Sequence, residues 1–276
     1  MRERRALKPD SEVATSTRRR LDAELVVRGL ADSRQRAQDL IEAGRVTVGG
    51  APAFKSSRQV SPAEPVLVSG RPDPFVGRGG HKLEGALDKF SIDVADRWAL
   101  DAGSSTGGFT DCLLQRGAAG VAAVDVGTNQ LHERLRADDR VDIREQTDIR
   151  AIALSQFDAP MDTNGFDVIV TDLSFISTTR LLPHFATLLA AEGDLVVLIK
   201  PQFEAGRSEV SRGRGVIRDP AVWERVLHAF VDQAAAIGLP VIDLAISPVV
   251  GGKGNVEFLA HLRRGDILGT VIEERP

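Results

Sequence analysis

Two charged residues stand at the ends of strongly apolar segments. Asp172 ends the segment at 166–172, and Lys200 ends the segment at 195–200. A charge at the end of a buried strand is unfavourable unless it has a partner, so we expect these two side chains to form a pair. At the carboxyl edge of a sheet, such a pair favours an active site over a structural salt bridge. Lys82 (in Arg-Gly-Gly-His-Lys) and Glu257 (in Asn-Val-Glu-Phe) are the other two candidate catalytic residues.

A glycine-rich segment follows another apolar stretch. It begins at Asp101 and continues as Ala-Gly-Ser-Ser-Thr-Gly-Gly-Phe-Thr to Thr110. Glycines allow the backbone to approach a ligand closely at the start of a helix. The Gly-x-x-x-Gly-Gly spacing differs from the dinucleotide-binding fingerprint, and the preceding aspartate is typical of S-adenosylmethionine sites.

Two later carboxylates are candidates for the same cofactor. Asp125 follows about twenty residues on, where a carboxylate can accept both ribose hydroxyls of an adenosine. Asp148 could accept a hydrogen bond from the adenine amino group, or it could be a helix N-cap. The predicted cofactor-binding residues are Asp101, Gly103, Ser104, Ser105, Thr106, Gly107, Gly108, Phe109, Asp125, Val126, Asp148 and Asp172.

Apolar strands must position these residues. The segments at 98–101, 121–125, 166–172 and 195–200 are short and rich in β-branched residues, and turns and helical stretches separate them. This pattern predicts parallel strands buried on both faces, and therefore an α/β, doubly wound, Rossmann-like sheet. We assign it to a catalytic domain at 78–270, preceded by a Gly- and Pro-rich linker at 69–77.

The N-terminal part has a different organisation. Residues 1–17 are polar and predicted to be disordered. Residues 18–68 predict a small α+β domain, with two helices, a strand at 46–48 and a hairpin turn at Gly49-Gly50. Residues 1–80 contain 15 Lys and Arg against 10 Asp and Glu, whereas the remainder contains 20 against 29. A net charge of +5 ahead of an acidic body of −9 indicates contact with a polyanion, although a solvated basic N-terminus is an alternative.

This N-terminal domain resembles the S4 RNA-binding module. The resemblance is carried by residues 21–22, 28–34 and 44–50, which include Arg-Gly-Leu-Ala-Asp-Ser-Arg and Gly-Arg-Val-Thr-Val-Gly-Gly. It implies that the second helix and the following loop face structured RNA, recognised by shape and backbone because aromatic residues are few. An ordinary solvated helix face is the alternative. The predicted RNA-binding cations are Arg28, Arg34, Arg36, Arg45, Lys55 and Arg58.

The four candidate catalytic residues also carry a resemblance. Their order, Lys82, Asp172, Lys200, Glu257, is similar to the Lys-Asp-Lys-Glu tetrad of ribose 2′-O-methyltransferases of the FtsJ type. With the S4-like module in front, residues 18–265 resemble the TlyA family of ribosomal RNA methyltransferases. The resemblance implies methyl transfer from S-adenosylmethionine to a ribose 2′-hydroxyl, of a cytidine in 16S or 23S RNA or both. Gly77 departs from the family, which has serine there.

The tetrad suits this chemistry. A ribose hydroxyl is a poor nucleophile and must lose its proton as it attacks the methyl group. Burial and neighbouring positive charge favour the uncharged form of Lys200, which could then act as the base. Asp172 would orient Lys200, Lys82 would hold the 2′-oxygen, and Glu257 would position Lys82 or the ribose.

Several other classes of protein are disfavoured. A haemolysin-like protein is disfavoured because the sequence shows neither an apolar spanning segment nor a signal peptide. An RNA-binding protein without catalysis is disfavoured because it would not need the tetrad. A dinucleotide-dependent oxidoreductase is disfavoured by the glycine spacing. Composition and the single Cys112 predict a cytoplasmic protein with no membrane contact, and the five scattered histidines predict no metal site. The segment 202–218 is predicted as a mobile cationic lid or an ordinary surface loop.

Overall fold

The structure is a computed structural model that describes residues 18–31, 33–70, 73–157 and 165–265. It divides the chain into two compact units, at 1–72 and 73–276. The predicted disordered tail at 1–17 and the end of the predicted catalytic domain at 266–270 lie outside the described residues. Each unit has a hydrophobic core of its own, and each is described by itself.

The first unit is a small α+β domain, as predicted. Leu21 and Leu25 of its first helix and Ala37 and Ile41 of its second are fully buried or nearly so, because a spacing of four residues places each pair on one helix face. The predicted hairpin turn at 49–50 is confirmed, with positive φ angles at both glycines. Strands β3-β2-β5 form one antiparallel sheet, and β1 pairs with β4. The elements are β1 (Arg19–Arg20), α1 (Leu21–Val27), α2 (Arg34–Glu42), β2 (Val46–Val48), β3 (Ala51–Pro52), β4 (Gln59–Val60) and β5 (Val66–Val68).

The second unit is built on a seven-stranded sheet. Its strand order is β11-β12-β10-β9-β6-β7-β8, in which β6 to β10 are parallel and β12 runs antiparallel to both of its neighbours. The predicted doubly wound α/β fold is confirmed. The elements are α3 (Gly79–Phe90), β6 (Trp98–Ala102), α4 (Gly108–Gln115), β7 (Gly120–Val124), α5 (Glu133–Arg136), β8 (Val141–Arg144), β9 (Phe166–Thr171), α6 (Leu182–Leu188), β10 (Leu189–Ile199), α7 (Pro201–Glu204), α8 (Arg207–Arg212), α9 (Pro220–Ala236), β11 (Val241–Ile246) and β12 (Phe258–Leu262), with short 3-10 helices at Ile149–Ala151, Leu154–Gln156, Thr178–Leu181 and Gly252–Gly254.

The central strands are buried on both faces, which explains their continuous apolar sequences. Along β10, Leu195 and Val197 pack into the core on one face of the sheet, whereas Val196 and Leu198 pack into the core on the other. All four side chains are fully buried. This alternation follows from the two-residue period of a strand, and helices cover both faces.

Two regions differ from the sequence prediction. Residues 73–77 of the predicted linker belong to the second unit, where Phe75 is 5% exposed and the backbone N–H of Val76 donates to Asp111 at 2.8 Å. Apolar side chains anchor this half of the linker because a core lies within their reach. The segment 202–218 is not one continuous loop, since it contains most of α7 and all of α8. None of the helices among the described residues is long and apolar enough to cross a membrane.

Candidate active site

The register of two neighbouring strands brings Asp172 and Lys200 together. In the parallel pair β9–β10, Thr171 lies opposite Val197, so both strands end at the same edge of the sheet. Nζ of Lys200 lies 2.5 Å from Oδ1 of Asp172. The predicted pair is confirmed.

The antiparallel strand β12 supplies Glu257 to the same edge. Phe258, the first residue of β12, lies opposite Ile199, the last residue of β10. Because β12 runs in the opposite direction, its beginning meets the carboxyl ends of the parallel strands, and Glu257 lies just before it. Lys82 comes from the first turn of α3, and its Nζ donates to Oε2 of Glu257 at 2.6 Å.

A single carboxylate joins the two lysines. Oδ2 of Asp172 lies 3.7 Å from Nζ of Lys82, while its Oδ1 faces Lys200. Both lysines are 7% exposed and Glu257 is 3% exposed, so these charges are stable only because they are paired. The side chain of Asp172 is 22% exposed, which leaves the cluster accessible from one side. The four predicted catalytic residues therefore form one connected cluster with balanced charge.

Two neighbours of Lys200, and an aromatic ring beside one of them, were not predicted from the sequence. Nζ of Lys200 donates to Oγ of Ser174 at 3.0 Å and lies 5.8 Å from the centre of the Phe203 ring. Phe175 is 92% exposed and has a φ of 66°, which is unusual for an aromatic residue, and its ring lies 5.3 Å from that of Phe203. The signal was present, because these residues lie within three positions of Asp172 or Lys200 in the sequence. Strain and exposure, however, are visible only in the structure.

Glu204 ties together the two loops that flank this cluster. Its carboxylate accepts hydrogen bonds from N of Thr178 and Oγ of Ser177, both at 2.6 Å. Ser177 and Thr178 follow β9, whereas Glu204 follows β10. This contact links the segment that follows Asp172 to the segment that follows Lys200.

The predicted cofactor loop lies between β6 and α4, at the switch point of the sheet. Strands β7 and β8 extend to one side of β6, and β9 and β10 extend to the other, so a crevice forms at the carboxyl end of β6. Gly103 has a φ of +89°, and a Cβ there would lie 2.9 Å from the carbonyl oxygen of Asp172. Gly77 lies against the same loop, since a Cβ there would lie 2.8 Å from Oγ1 of Thr106. The predicted loop residues Ser104, Ser105, Thr106, Gly107 and Gly108 connect Gly103 to the start of α4.

Two predicted cofactor-binding side chains lie in the interior. Asp101 is fully buried, and its Oδ2 accepts hydrogen bonds from N and Oγ1 of Thr110 at 2.9 and 2.7 Å. Burial raises the pKa of Asp101 to about 7. Phe109 is 3% exposed and packs in the core. Both side chains therefore point into the core and support the loop, and the assignment of these two residues to cofactor binding stays a prediction.

Asp125 lies beside the loop, as the sequence predicts. Its Oδ2 accepts from N of Ser105 at 2.9 Å, and its Oδ1 accepts from N of Gly127 at 2.7 Å. A carboxylate has about four lone-pair sites, so two remain for hydroxyl groups. The side chain of Val126 is 72% exposed and adds apolar surface next to Asp125.

Asp148 adopts the alternative role that the sequence left open. It is the N-cap of the 3-10 helix at Ile149–Ala151, where its Oδ1 accepts from N of Arg150 at 2.9 Å. The Arg150 guanidinium lies 2.5 Å from Oδ2 and is the main reason why the pKa of Asp148 falls to about 2. Its carboxylate is thus engaged by its own helix.

The predicted RNA-binding cations of the first unit divide into two groups. Arg28 has a structural role, because its side chain is 21% exposed and donates to Glu24 and to the carbonyl oxygens of Glu64 and Ser61. Its contact with RNA stays a prediction. Arg34, in contrast, is 59% exposed and donates to Asp22 at 3.2 Å. Of the others, Lys55 is exposed, Arg36, Arg45 and Arg58 are half-buried, and Arg45 donates to the carbonyl oxygen of Ser69 at 2.7 Å.

A further arginine was not predicted. Arg20 donates twice to the buried carboxylate of Asp22, at 3.1 and 2.8 Å, and its side chain is 43% exposed. Hydrogen bonds from Arg20 hold the pKa of Asp22 well below its usual range. Arg20 and Arg34 therefore share one carboxylate. The run of three arginines at 18–20 was the available signal.

Comparisons with known proteins identify a family for each of the two units. Residues 75–264 match the family described as FtsJ-like methyltransferase, and residues 19–66 match the S4 domain. The 16S/23S rRNA (cytidine-2'-O)-methyltransferase TlyA of Mycobacterium tuberculosis is 45% identical over 248 residues, covering 89% of this chain and 90% of that protein. Hemolysin A of Brachyspira hyodysenteriae is 41% identical, covering 88% of this chain and 98% of that protein. A solved structure described as "Putative hemolysin from Streptococcus thermophilus" is 39% identical with a TM-score of 0.72, covering 91% of this chain and 90% of that one.

Proposed function

The chain belongs to the FtsJ-like methyltransferase family, and from this premise we propose that it methylates the 2′-hydroxyl of a cytidine in 16S ribosomal RNA, in 23S ribosomal RNA or in both, using S-adenosylmethionine. The observation that carries the proposal is the connected cluster of Lys82, Asp172, Lys200 and Glu257. Two buried lysines joined by one carboxylate suit the removal of a proton from a hydroxyl group. The match of the relative over most of both chains supports the choice of substrate.

The crevice at the switch point fits an adenosyl amino acid. Gly103 leaves space where a side chain would meet the Asp172 carbonyl, and Asp125 keeps acceptor sites for ribose hydroxyls. Val126 would lie against the adenine ring, and the backbone of Ser104 and Ser105 would line the remainder. When bound, S-adenosylmethionine supplies an electrophilic methyl group on a positively charged sulfur.

The protein's own residues align and deprotonate the nucleophile. Lys200 can act as a base only in its uncharged form, in which its two N–H groups would go to Asp172 and Ser174 and the lone pair of Nζ would remain at the rim of the crevice. Lys200 would take the 2′-proton, and Lys82, held by Glu257, would donate a hydrogen bond to the 2′-oxygen. Because the charges are already placed, little reorganisation accompanies the transfer.

The substrate would be held by both units. The S4 domain offers exposed cations, including Arg20, Arg34 and Lys55, for the phosphate backbone. The exposed ring of Phe175 offers a surface on which a base could stack beside the cluster. A ribosomal RNA substrate places the activity in the cytoplasm, in contact with ribosomal subunits.

The test is methylation in vitro. Purified protein, labelled S-adenosylmethionine and unmodified 30S or 50S subunits should give 2′-O-methylcytidine at discrete positions, and a Lys82→Ala variant should give almost none. Binding of S-adenosylmethionine without methylation of either subunit would mean that the substrate is wrong. Binding of NAD in its place would point to the oxidoreductase alternative. Some relatives are named as hemolysins. Membrane activity, however, does not require a paired lysine cluster beside a glycine-lined crevice.

A further inference from the structure

One carboxylate, that of Glu145, holds the loop that follows β7. Glu145 lies just after β8, and it accepts hydrogen bonds from three consecutive backbone N–H groups. Its Oε2 accepts from Asn129 at 2.8 Å, and its Oε1 accepts from Gln130 at 2.8 Å and Leu131 at 3.1 Å. Because this stretch has no regular secondary structure, the side chain provides the acceptors that a strand or helix would otherwise supply.

The carboxylate is itself fixed and charged. Nη2 of Arg136 lies 2.5 Å from Oε1 of Glu145, and Nε of Arg136 donates to the carbonyl oxygen of Leu131 at 3.0 Å. The side chain of Glu145 is 13% exposed. The Arg136 guanidinium, followed by the three backbone donors, lowers the pKa of Glu145 to about 2, so the group is ionised at neutral pH.

The same segment also holds the other end of the loop. The N–H of Gln146 donates to the carbonyl oxygen of Gly127, and that of Thr147 donates to the carbonyl oxygen of Asp125, both at 2.9 Å. Residues 145–147 therefore form hydrogen bonds to both ends of the loop at 125–131, and we call this set of contacts the clasp. The loop thus holds Asp125 at hydrogen-bonding distance from Ser105 and presents the exposed side chain of Val126.

We propose that Glu145 is a positioning residue for the cofactor, which pre-forms the loop that receives the adenosine half of S-adenosylmethionine. The inference rests on the proposed function, because it takes that cofactor as the ligand of Asp125 and Val126. When the loop is already ordered in the free protein, binding does not have to supply the entropic cost of ordering it, so the affinity of the protein for S-adenosylmethionine is higher. Glu145 contacts the loop backbone, and it acts on the cofactor only through the loop.

The test compares Glu145→Gln with the wild-type protein by calorimetry. The amide replaces one acceptor oxygen with a donor, which would face a backbone N–H group, so the clasp loses at least one of its hydrogen bonds. We expect the Kd for S-adenosylmethionine to rise about tenfold, and the Kd for adenosine to rise by the same factor. At saturating cofactor, kcat should stay within about twofold of the wild type, because the loop is ordered once it is occupied. A merely structural role would lower Tm without this separation of KM and kcat.

Two further variants complete the test. Asp142→Asn is the matched control, since Asp142 lies on β8 and is bound by Arg144 at 2.8 Å rather than by the loop, and its Kd should not change. If Glu145→Gln does not fold, Arg136→Met removes the ion pair and the hydrogen bond to Leu131 but leaves the three backbone hydrogen bonds to Glu145, and it should raise the Kd about threefold. A wild-type Kd in Glu145→Gln, or in Arg136→Met where the first does not fold, overturns the inference. Failure of the wild-type protein to bind S-adenosylmethionine would instead overturn the proposed function.

Discussion

At the scale of single residues, the bridging carboxylate of Asp172 defines the cluster. Its two oxygens face different lysines, at 2.5 Å for Lys200 and 3.7 Å for Lys82. The nearer lysine is the more firmly oriented, because Ser174 binds it as well. The farther lysine depends chiefly on Glu257, at 2.6 Å. The unequal distances support different roles for the two lysines, with Lys200 as the base and Lys82 as the donor to the 2′-oxygen.

Replacement of Lys200 tests the base directly. Lys200→Ala and Lys200→Arg should each lower the single-turnover rate of methylation by about a hundredfold or more, because arginine stays protonated and cannot accept the proton. Cofactor affinity and RNA affinity should remain close to those of the wild type, since the interaction matters mainly in the transition state. Near-normal turnover by Lys200→Arg would leave Lys200 as an electrostatic clamp.

At the scale of elements, Asp101 joins the central strand to the helix beneath the cofactor loop. It is the fourth residue of β6, and its carboxylate binds both N and Oγ1 of Thr110 in the first turn of α4. Full burial outweighs these hydrogen bonds, and the nearby charge of Asp172 adds to it, so the pKa of Asp101 is raised to about 7. The folded protein therefore keeps a proton that the unfolded chain releases in mildly acidic solution.

This linkage predicts how stability depends on pH. Since the folded pKa is raised, the contribution of Asp101 to stability is complete below the pKa of an unfolded aspartate and is lost as pH rises through about 7. The Tm of the wild type should therefore fall between about pH 5 and pH 8 relative to that of Asp101→Asn, which cannot ionise and still offers an acceptor to Thr110. Calorimetry of both proteins across this range measures the difference. Parallel curves would show that Asp101 does not titrate there.

At the scale of the whole molecule, charge is divided unevenly along the chain. Residues 1–80 have a net charge of +5, whereas the rest of the chain has a net charge of −9. In the first unit, buried Asp22 fixes Arg20 and Arg34 while leaving each partly exposed. The second unit contains the complete sheet and both of the cores that support the cluster. This division supports affinity for RNA in the first unit and chemistry in the second.

Removal of the first unit tests this division of labour. A protein that begins at Asp73 retains Phe75 and the complete second unit. It should bind S-adenosylmethionine like the full chain, which also serves as the control for folding, and it should no longer methylate ribosomal subunits. For the full chain, the affinity for RNA should fall steeply with salt, by about tenfold or more between 50 and 200 mM, if phosphate contacts dominate. Full methylation by the truncated protein would contradict the division.

The sequence by itself determined the catalytic fold, the first unit and the pairing of Asp172 with Lys200, whereas Lys82 and Glu257 were predicted through the resemblance of the tetrad. The continuous apolar strands could be stable only in a sheet covered on both faces, and Asp172 and Lys200 at strand ends required a partner. The glycine spacing and Asp125 predicted the loop between β6 and α4 as the cofactor site. These features are local, since each depends on residues that are close in sequence or on the period of one element.

Only the tertiary structure decided the features that depend on distant contacts. The antiparallel direction of β12 brings Glu257 to the site, and no pattern within 258–262 specifies that direction. The engagement of Arg28 by carbonyl oxygens and the clasp formed by Glu145 each join separate segments of the chain, and the interior position of Asp101 depends on the elements that bury it. The sequence alone does not specify whether a polar side chain faces solvent or the backbone of another segment. Burial and partner, which the fold alone supplies, determine its role.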